Sequence, residues 1–220
     1  MTGMPGSSQS TQLLTRLSLL SGASMPIFYY GGQIAAASFY PGYSFSDQVA
    51  SMLGTGYSHE PWIFNSALIL TGFAAILGAF GLYQTFRSRT NHLVSLLIAL
   101  TAAYTGYMSV KAGIYPLPDH HHYELRFAVA SASLTPLLML IGIWGNERLR
   151  ALRAYLFLSV LLLVPVMPLF RKMIVVHGLS IGTGTLQRLL ALGTYVPVGV
   201  VSIYFFVHDR PGLKGNQASP

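Results

Sequence analysis

Long apolar stretches alternate with short polar connections along almost the whole chain. A helix needs about 20 apolar residues to cross a hydrocarbon core of about 30 Å. Six stretches come close to that length: 17–40, 62–86, 93–114, 125–144, 154–176 and 181–207. The pattern predicts an all-α, polytopic membrane protein with six transmembrane helices.

The composition supports a membrane protein over a soluble one. Of the 220 residues, 52% are hydrophobic and 9% are charged, whereas about a quarter of a soluble chain is charged. The absence of cysteine excludes disulfides and thiolate metal sites. The net charge is +7, but no basic stripe or reader motif accompanies it, so nucleic-acid binding is not expected. We expect the partner to be a membrane lipid or an amphiphilic small molecule; the sequence does not identify a cofactor.

Polar ends flank the apolar region. We predict a mobile cytoplasmic leader at 1–16, a six-helix transmembrane domain at 17–207 and a mobile cytoplasmic tail at 208–220. The first apolar run is too long for an ordinary signal sequence, so we expect an uncleaved first helix.

The basic residues indicate the orientation, because cytoplasmic loops carry an excess of lysine and arginine. If both termini are cytoplasmic, the inner side holds Arg16, Arg87, Arg89, Arg148, Arg150, Arg153, Arg210 and Lys214. The outer side then holds Lys111, Arg126, Arg171, Lys172 and Arg188. The larger inner set predicts a multi-pass plasma-membrane protein with both termini inside the cell.

The first outer loop contains a helix-start pattern. Ser44 and Asp47 have the spacing of a capping box, and Gly54 follows as a helix-stop signal. We predict a short interfacial helix here. Asp47 is either its cap or part of an outer polar site.

The second outer loop brings three consecutive histidines next to acids. Asp119 precedes His120, His121 and His122, and Glu124 follows. Imidazole and carboxylate groups are ligands for zinc and similar ions, but no His-Glu-x-x-His pattern occurs. The histidines are therefore either metal ligands or ordinary hydrogen-bonding groups, and we assign no metal.

The third outer segment begins the last apolar stretch with polar residues. Arg171 lies before it, His177 opens a glycine-rich turn, and Gln187 and Arg188 follow inside the apolar stretch. A charge at this depth needs a carboxylate, carbonyl oxygens or a water-filled cavity. Asp47, Asp119 and Glu124 are candidate partners of Arg188. A structural ion pair and a ligand site both fit the sequence.

Several ordered motifs resemble those of one prokaryotic family. They are 40–44 (Tyr-Pro-Gly-Tyr-Ser) with Ser46 and Asp47, Leu53 and Gly54, 61–65 (Pro-Trp-Ile-Phe-Asn), 113–116 (Gly-Ile-Tyr-Pro) with Asp119, and 182–188. The chain resembles the six-helix membrane proteins catalogued as domain of unknown function 998. The resemblance implies six helices and a shared outer site, but no established reaction. The chain is also distantly similar to Frag1/DRAM/Sfk1-type membrane proteins, which suggests lipid or membrane homeostasis by analogy of fold.

The leading functional hypothesis is an outer-facing polar pocket that binds a lipid headgroup or another amphiphile. Its candidate ligand-binding residues are Arg171, His177, Gln187, Arg188 and Glu124. The alternative is a membrane-embedded hydrolase or lyase that uses a metal or an Asp/His acid–base pair. Its candidate catalytic residues are Asp47, Asp119 and His122. A non-catalytic partner of another membrane protein is the third hypothesis.

Overall fold

The computed structural model describes residues 6–123, 126–177 and 182–209, and the regular secondary structure in these ranges is helical. Their α-helices are, in chain order, α1 (Gly6–Ala37), α2 (Pro61–Arg87), α3 (His92–Ile114), α4 (His120–Tyr123), α5 (Arg126–Ile143), α6 (Arg150–His177) and α7 (Thr183–His208). Two short 3₁₀ helices, Ala50–Gly54 and Glu147–Leu149, lie in connections. α1 begins inside the segment predicted as the leader.

Within the described ranges, four helices are long and apolar enough to cross a membrane. They are Pro61–Arg87, His92–Ile114, Glu147–Phe170 and Thr183–His208. In α5 the described apolar stretch is the shorter Ser131–Ile143. The serine, glycine and glutamine residues of α1 lower its mean hydropathy. The protein is therefore a multi-pass helical membrane protein.

The long helices form a closed bundle. α2 packs between α1 and α3, α5 contacts α3 and α6, and α7 contacts both α6 and α1. At one end of the bundle, here called the loop end, α1, α3 and α6 finish and α2, α5 and α7 begin. The connection 38–60, here called the first loop, therefore lies at the same end as the start of α7.

Small residues allow the helix backbones to approach closely. A Cβ atom added to Gly106 of α3 would lie 2.6 Å from the carbonyl oxygen of Gly72 on α2. A Cβ atom added to Gly78 of α2 would lie 2.6 Å from the Cα of Gly22 on α1. Such contacts hold bundles together in lipid, where hydrophobicity alone does not drive helix association.

Side-chain contacts tie the opposite end of the bundle. Arg89, in the turn between α2 and α3, pairs with Asp209 after α7 at 2.6 Å. The Arg89 guanidinium also lies over the Phe205 ring, 4.4 Å from its centroid. Arg16 of α1 lies over the ring of Phe206 at 4.6 Å. α1 and the end of α7 are thereby held together.

Candidate functional site

Arg188, in the second turn of α7, binds the first loop. Its Nη1 donates to the carbonyl oxygens of Phe45 at 2.5 Å and Gln48 at 3.1 Å. The same nitrogen donates to Gly184 O at 2.9 Å, and Nη2 donates to the Tyr43 hydroxyl at 2.7 Å. The guanidinium therefore joins the loop to the helix through neutral acceptors.

The surroundings of Arg188 are aromatic. Its guanidinium carbon lies 4.8 Å from the centroid of the Phe45 ring and 5.8 Å from that of Tyr43. The ion pairs found in the described parts of the chain do not include Arg188. Its Nε is buried without a hydrogen-bond partner. The guanidinium charge is thus stabilised by oxygen dipoles and ring faces, and none of the carboxylates in the described ranges pairs with it.

Other residues at the start of α7 make further contacts with the first loop. The Gln187 side-chain oxygen accepts from the backbone N–H of Ala50 at 2.5 Å. The Thr185 N–H donates to Ser46 O at 2.9 Å. Gly184 lies against the loop backbone, since a Cβ there would be 2.6 Å from Phe45 O. The loop and the helix start form one packed unit, here called the Arg188 site.

Asp47 connects the same two segments. Its carboxylate accepts from the Ser44 hydroxyl at 2.7 Å and from the Gly182 N–H at 3.3 Å. The Ser44 hydroxyl, helped by the Gly182 N–H, lowers the pKa of Asp47 despite partial desolvation. Asp47 is therefore ionised at neutral pH and is suited to accept hydrogen bonds or a proton rather than to donate one.

The capping pattern of the first loop forms a turn. Ser44 Oγ accepts from the Asp47 N–H at 3.3 Å, as a capping serine does, while the Ser44 N–H donates to the side chain of Gln48 at 2.7 Å. The helical turn stops there, and the 3₁₀ helix Ala50–Gly54 follows.

His122 lies in the segment between α3 and α5 (115–125), here called the second connection, and joins it to the first loop. Its Nδ1 lies 2.9 Å from the Tyr115 carbonyl oxygen, and its Nε2 lies 3.2 Å from the Ser51 hydroxyl. Because a carbonyl only accepts, Nδ1 carries the proton, and neutral Nε2 accepts from Ser51. Burial lowers the pKa of His122, although the Tyr115 carbonyl and Asp119 oppose this shift.

Asp119 lies with the other two histidines. One ligand atom from each of Asp119, His120 and His121 falls within 4.8 Å of the other two. The Asp119 Oδ1 also accepts from the His121 N–H at 2.8 Å. The three-histidine run therefore divides, with His122 directed to Ser51 and its two neighbours grouped with Asp119.

The residues predicted from sequence fall into two groups. Asp47, Gln187 and Arg188 meet in the Arg188 site, and Asp119 and His122 lie in the second connection. Glu124 lies outside the described residues, as do the side chains of Arg171 and His177. The sequence named carboxylates, carbonyl oxygens and a water-filled cavity as possible partners of Arg188. Of these, carbonyl oxygens accept its described hydrogen bonds.

Three contributors were missed by sequence reasoning. Ser51 is the hydroxyl partner of His122, Tyr43 supplies its hydroxyl to Arg188, and Gly184 permits the close approach of α7. A glycine two residues into an apolar helix is the signal that indicates such an approach. Ser51 has no comparable signature, and Tyr43 lies in the 40–44 motif, which does not show that its hydroxyl meets Arg188.

We expect Asp47→Asn to destabilise the protein at pH 7 and to matter less at pH 3. A carboxylate whose pKa is lowered on folding stabilises the folded protein at pH values above its ordinary pKa of 3.8. That stabilisation disappears as the pH falls through the lower folded value. Thermal unfolding in detergent at both pH values measures the difference between the variant and wild type. An equal difference at pH 7 and pH 3 would contradict the proposed contribution of the ionised group.

The described helices and the loop-end contacts define a multi-pass membrane protein with a polar site at one end of its bundle. The chain belongs to the family described as "Protein of unknown function (DUF998)", whose model matches residues 23–204. No curated protein and no solved structure matches the chain significantly.

Proposed function

We propose that this protein is a plasma-membrane protein whose loop end faces outward and binds a lipid headgroup or another anionic amphiphile in a polar pocket at the Arg188 site. Both termini lie in the cytoplasm, and six helices span the bilayer. The observation that carries the proposal is the Arg188 charge, which none of the described carboxylates neutralises.

Two helices beyond the four apolar ones complete the six spans. α1 runs antiparallel to α7, from the contact of Arg16 with Phe206 to that of Tyr30 with the backbone of Arg188. It therefore covers most of the length of a helix that is itself long and apolar enough to span. α5 packs beside α3, where Thr135 donates to Thr101 at 3.0 Å.

The orientation follows from the excess of basic residues at the end opposite the loop end. We expect Gly56→Cys to react with a membrane-impermeant maleimide in intact cells, and Gly145→Cys to react only after permeabilisation. Both glycines are exposed and have open space at the Cβ position. The chain has no other cysteine. The reverse labelling pattern would contradict the orientation.

A partly buried cation at the membrane boundary attracts an anion. The acceptors of Arg188 are dipoles, so they stabilise the charge without cancelling it. A phosphate or carboxylate that reaches this region would gain the Coulomb attraction of the guanidinium.

Aromatic side chains at the loop end suit the headgroup level. Phe45, Tyr57 and Trp62 are exposed by 42%, 72% and 62%, and aromatic residues collect at membrane interfaces. The 3₁₀ helix Ala50–Gly54 would then lie at the interface.

The test is native mass spectrometry of the protein supplied with equal amounts of phosphatidylglycerol and phosphatidylcholine. We expect wild type to retain the anionic lipid preferentially, Arg188→Lys to keep much of the preference because its charge remains, and Arg188→Met to lose it. Arg150→Met, at the opposite end, is the matched control and should behave as wild type.

The proposal fails if wild type shows no preference for the anionic lipid, whatever the behaviour of the variants. It also fails if folded Arg188→Met retains the wild-type preference. Thermal unfolding of each variant identifies those that are folded. If Arg188→Met is unfolded, the preference of wild type for the anionic lipid decides.

A second candidate function is that of a membrane-embedded hydrolase or lyase, and the contact of Ser51 with His122 favours the hydrolase. A serine hydroxyl 3.2 Å from a histidine nitrogen, with the other ring nitrogen held by a carbonyl, has the arrangement of a nucleophile with an oriented base. In acyl transfer, Ser51 Oγ would attack the ester carbonyl while Nε2 takes the hydroxyl proton. Nε2 would then return that proton to the leaving alcohol, and water would release the acyl group.

A fluorophosphonate probe tests this second candidate. Labelling of wild type that disappears in Ser51→Ala and in His122→Gln would support it. Wild type that remains unlabelled, or Ser51→Ala that labels equally, would exclude Ser51 as a nucleophile.

A further inference from the structure

We propose that Asp119, His120 and His121 form a binding site for a transition-metal dication, with Zn²⁺ as the best-matched ion. The site is separate from the Arg188 site and does not depend on lipid binding. His120 Nδ1 lies 3.6 Å from Asp119 Oδ1, and the rings of His120 and His121 are 3.8 Å apart between centroids.

The spacing fits one ion held by all three side chains. Zinc bonds to imidazole nitrogen and carboxylate oxygen are about 2.0–2.2 Å long, so two ligand atoms on a tetrahedral ion lie about 3.4 Å apart. The 3.6 Å separation of Asp119 and His120 is already close to this value. All three ligand atoms lie within 4.8 Å of one another, a gap that side-chain rotation closes.

The backbone around the cluster holds the ligands in place. The Asp119 N–H donates to Pro116 O at 3.0 Å, and the His122 N–H donates to Asp119 O at 3.0 Å. The ring of His122 is anchored to Tyr115 and Ser51. The ring of His121 packs at 4.9 Å on that of Tyr115. Such outer contacts orient ligand side chains before an ion arrives.

The side of the site away from the bundle is open. The His120 side chain is 80% exposed and that of Asp119 is 37% exposed, so an ion enters from solvent and keeps room for water. Two imidazoles and one carboxylate favour Zn²⁺, Cu²⁺ or Ni²⁺, whereas Mg²⁺ and Ca²⁺ prefer oxygen ligands. Three protein ligands with an open position are also the coordination of catalytic zinc sites.

The experiment titrates Zn²⁺ alone into purified full-length protein that carries no polyhistidine tag, in competition with a chromogenic chelator. We expect wild type to bind one Zn²⁺. We expect His120→Ala/His121→Ala to bind it about 100-fold more weakly or worse, because the loss of outer partners alone costs about 10–100-fold. His59→Ala/His92→Ala removes two histidines outside the cluster and should bind as wild type.

Three results would contradict the proposed metal site. They are the absence of stoichiometric Zn²⁺ binding by wild type, wild-type Zn²⁺ affinity in His120→Ala/His121→Ala, and an equal loss of Zn²⁺ affinity in His59→Ala/His92→Ala. His120→Ala alone is the safeguard against misfolding, because that side chain is largely exposed. It should bind Zn²⁺ at least about tenfold more weakly while unfolding at the wild-type temperature. Wild-type affinity in this variant would also exclude the site.

Discussion

Replacement of Arg188 by alanine is expected to lower the free energy of unfolding by about 3 kcal/mol. The change removes hydrogen bonds to Phe45 O, Gln48 O and the Tyr43 hydroxyl at once. It leaves the loop carbonyls without that donor and removes the guanidinium from its contact with the Phe45 and Tyr43 rings. Since these bonds join segments far apart in sequence, we expect the packing of α7 against the first loop to weaken.

Thermal and denaturant unfolding in the same detergent measure this effect. Arg150→Ala is the matched control, because Arg150 is exposed at the opposite end of the bundle. The control is expected to change stability by less than about 0.5 kcal/mol. Equal stability of Arg188→Ala and Arg150→Ala would remove the structural role assigned to Arg188.

A single methyl group at Gly184 is expected to destabilise the Arg188 site without replacement of Arg188. The new Cβ of Gly184→Ala would meet the carbonyl oxygens of Phe45 and Gln48, with Phe45 O at 2.6 Å. These two nearest obstacles are backbone atoms, so neither can move aside as a flexible side chain does; the third nearest atom is Arg188 Nη1 at 2.8 Å. We expect a loss of about 2 kcal/mol, typical of an overpacked contact.

Gly31→Ala is the control for this substitution. Gly31 lies inside α1 and has no atom within 4 Å of the Cβ position. Alanine there should be neutral or stabilising by up to about 1 kcal/mol, because it is the better helix former. If Gly184→Ala is as stable as Gly31→Ala in thermal unfolding, the close contact at Gly184 is not required.

The long helices could be predicted from apolar length alone. The stretch 62–86 corresponds to Pro61–Arg87, and 93–114 corresponds to His92–Ile114. Agreement is poorer for the first stretch, predicted as 17–40 and observed as Gly6–Ala37. The polar residues before position 17 continue the helix although they add little to its hydropathy, so an apolar pattern cannot locate that boundary.

The residue types of the Arg188 site were visible in the sequence, but their contacts were not. A charged residue inside an apolar stretch marks Arg188 as needing partners. Its described loop partners are chiefly main-chain carbonyls, and every residue has a carbonyl. No side-chain pattern therefore distinguishes Phe45 and Gln48 as acceptors.

The contacts of the histidines in the second connection could likewise not be predicted from the sequence. The run of three histidines predicts imidazole chemistry without telling which rings share a direction. The carbonyl of Tyr115 and the hydroxyl of Ser51 turn His122 away from its neighbours. That division depends on how the first loop folds against the second connection, which is a tertiary property.

The most direct test of the Arg188 site is whether the first loop and the start of α7 meet in the membrane. The Thr185 N–H donates to Ser46 O at 2.9 Å, and both side chains are exposed. We therefore predict that Ser46→Cys/Thr185→Cys, in this cysteine-free chain, forms a disulfide on mild oxidation of native membranes. Peptide mass spectrometry detects the link, and Ser46→Cys/Gly145→Cys, with its cysteines at opposite ends of the bundle, should remain unlinked. Absence of the 46–185 link, or equal linkage in the control pair, would contradict the site.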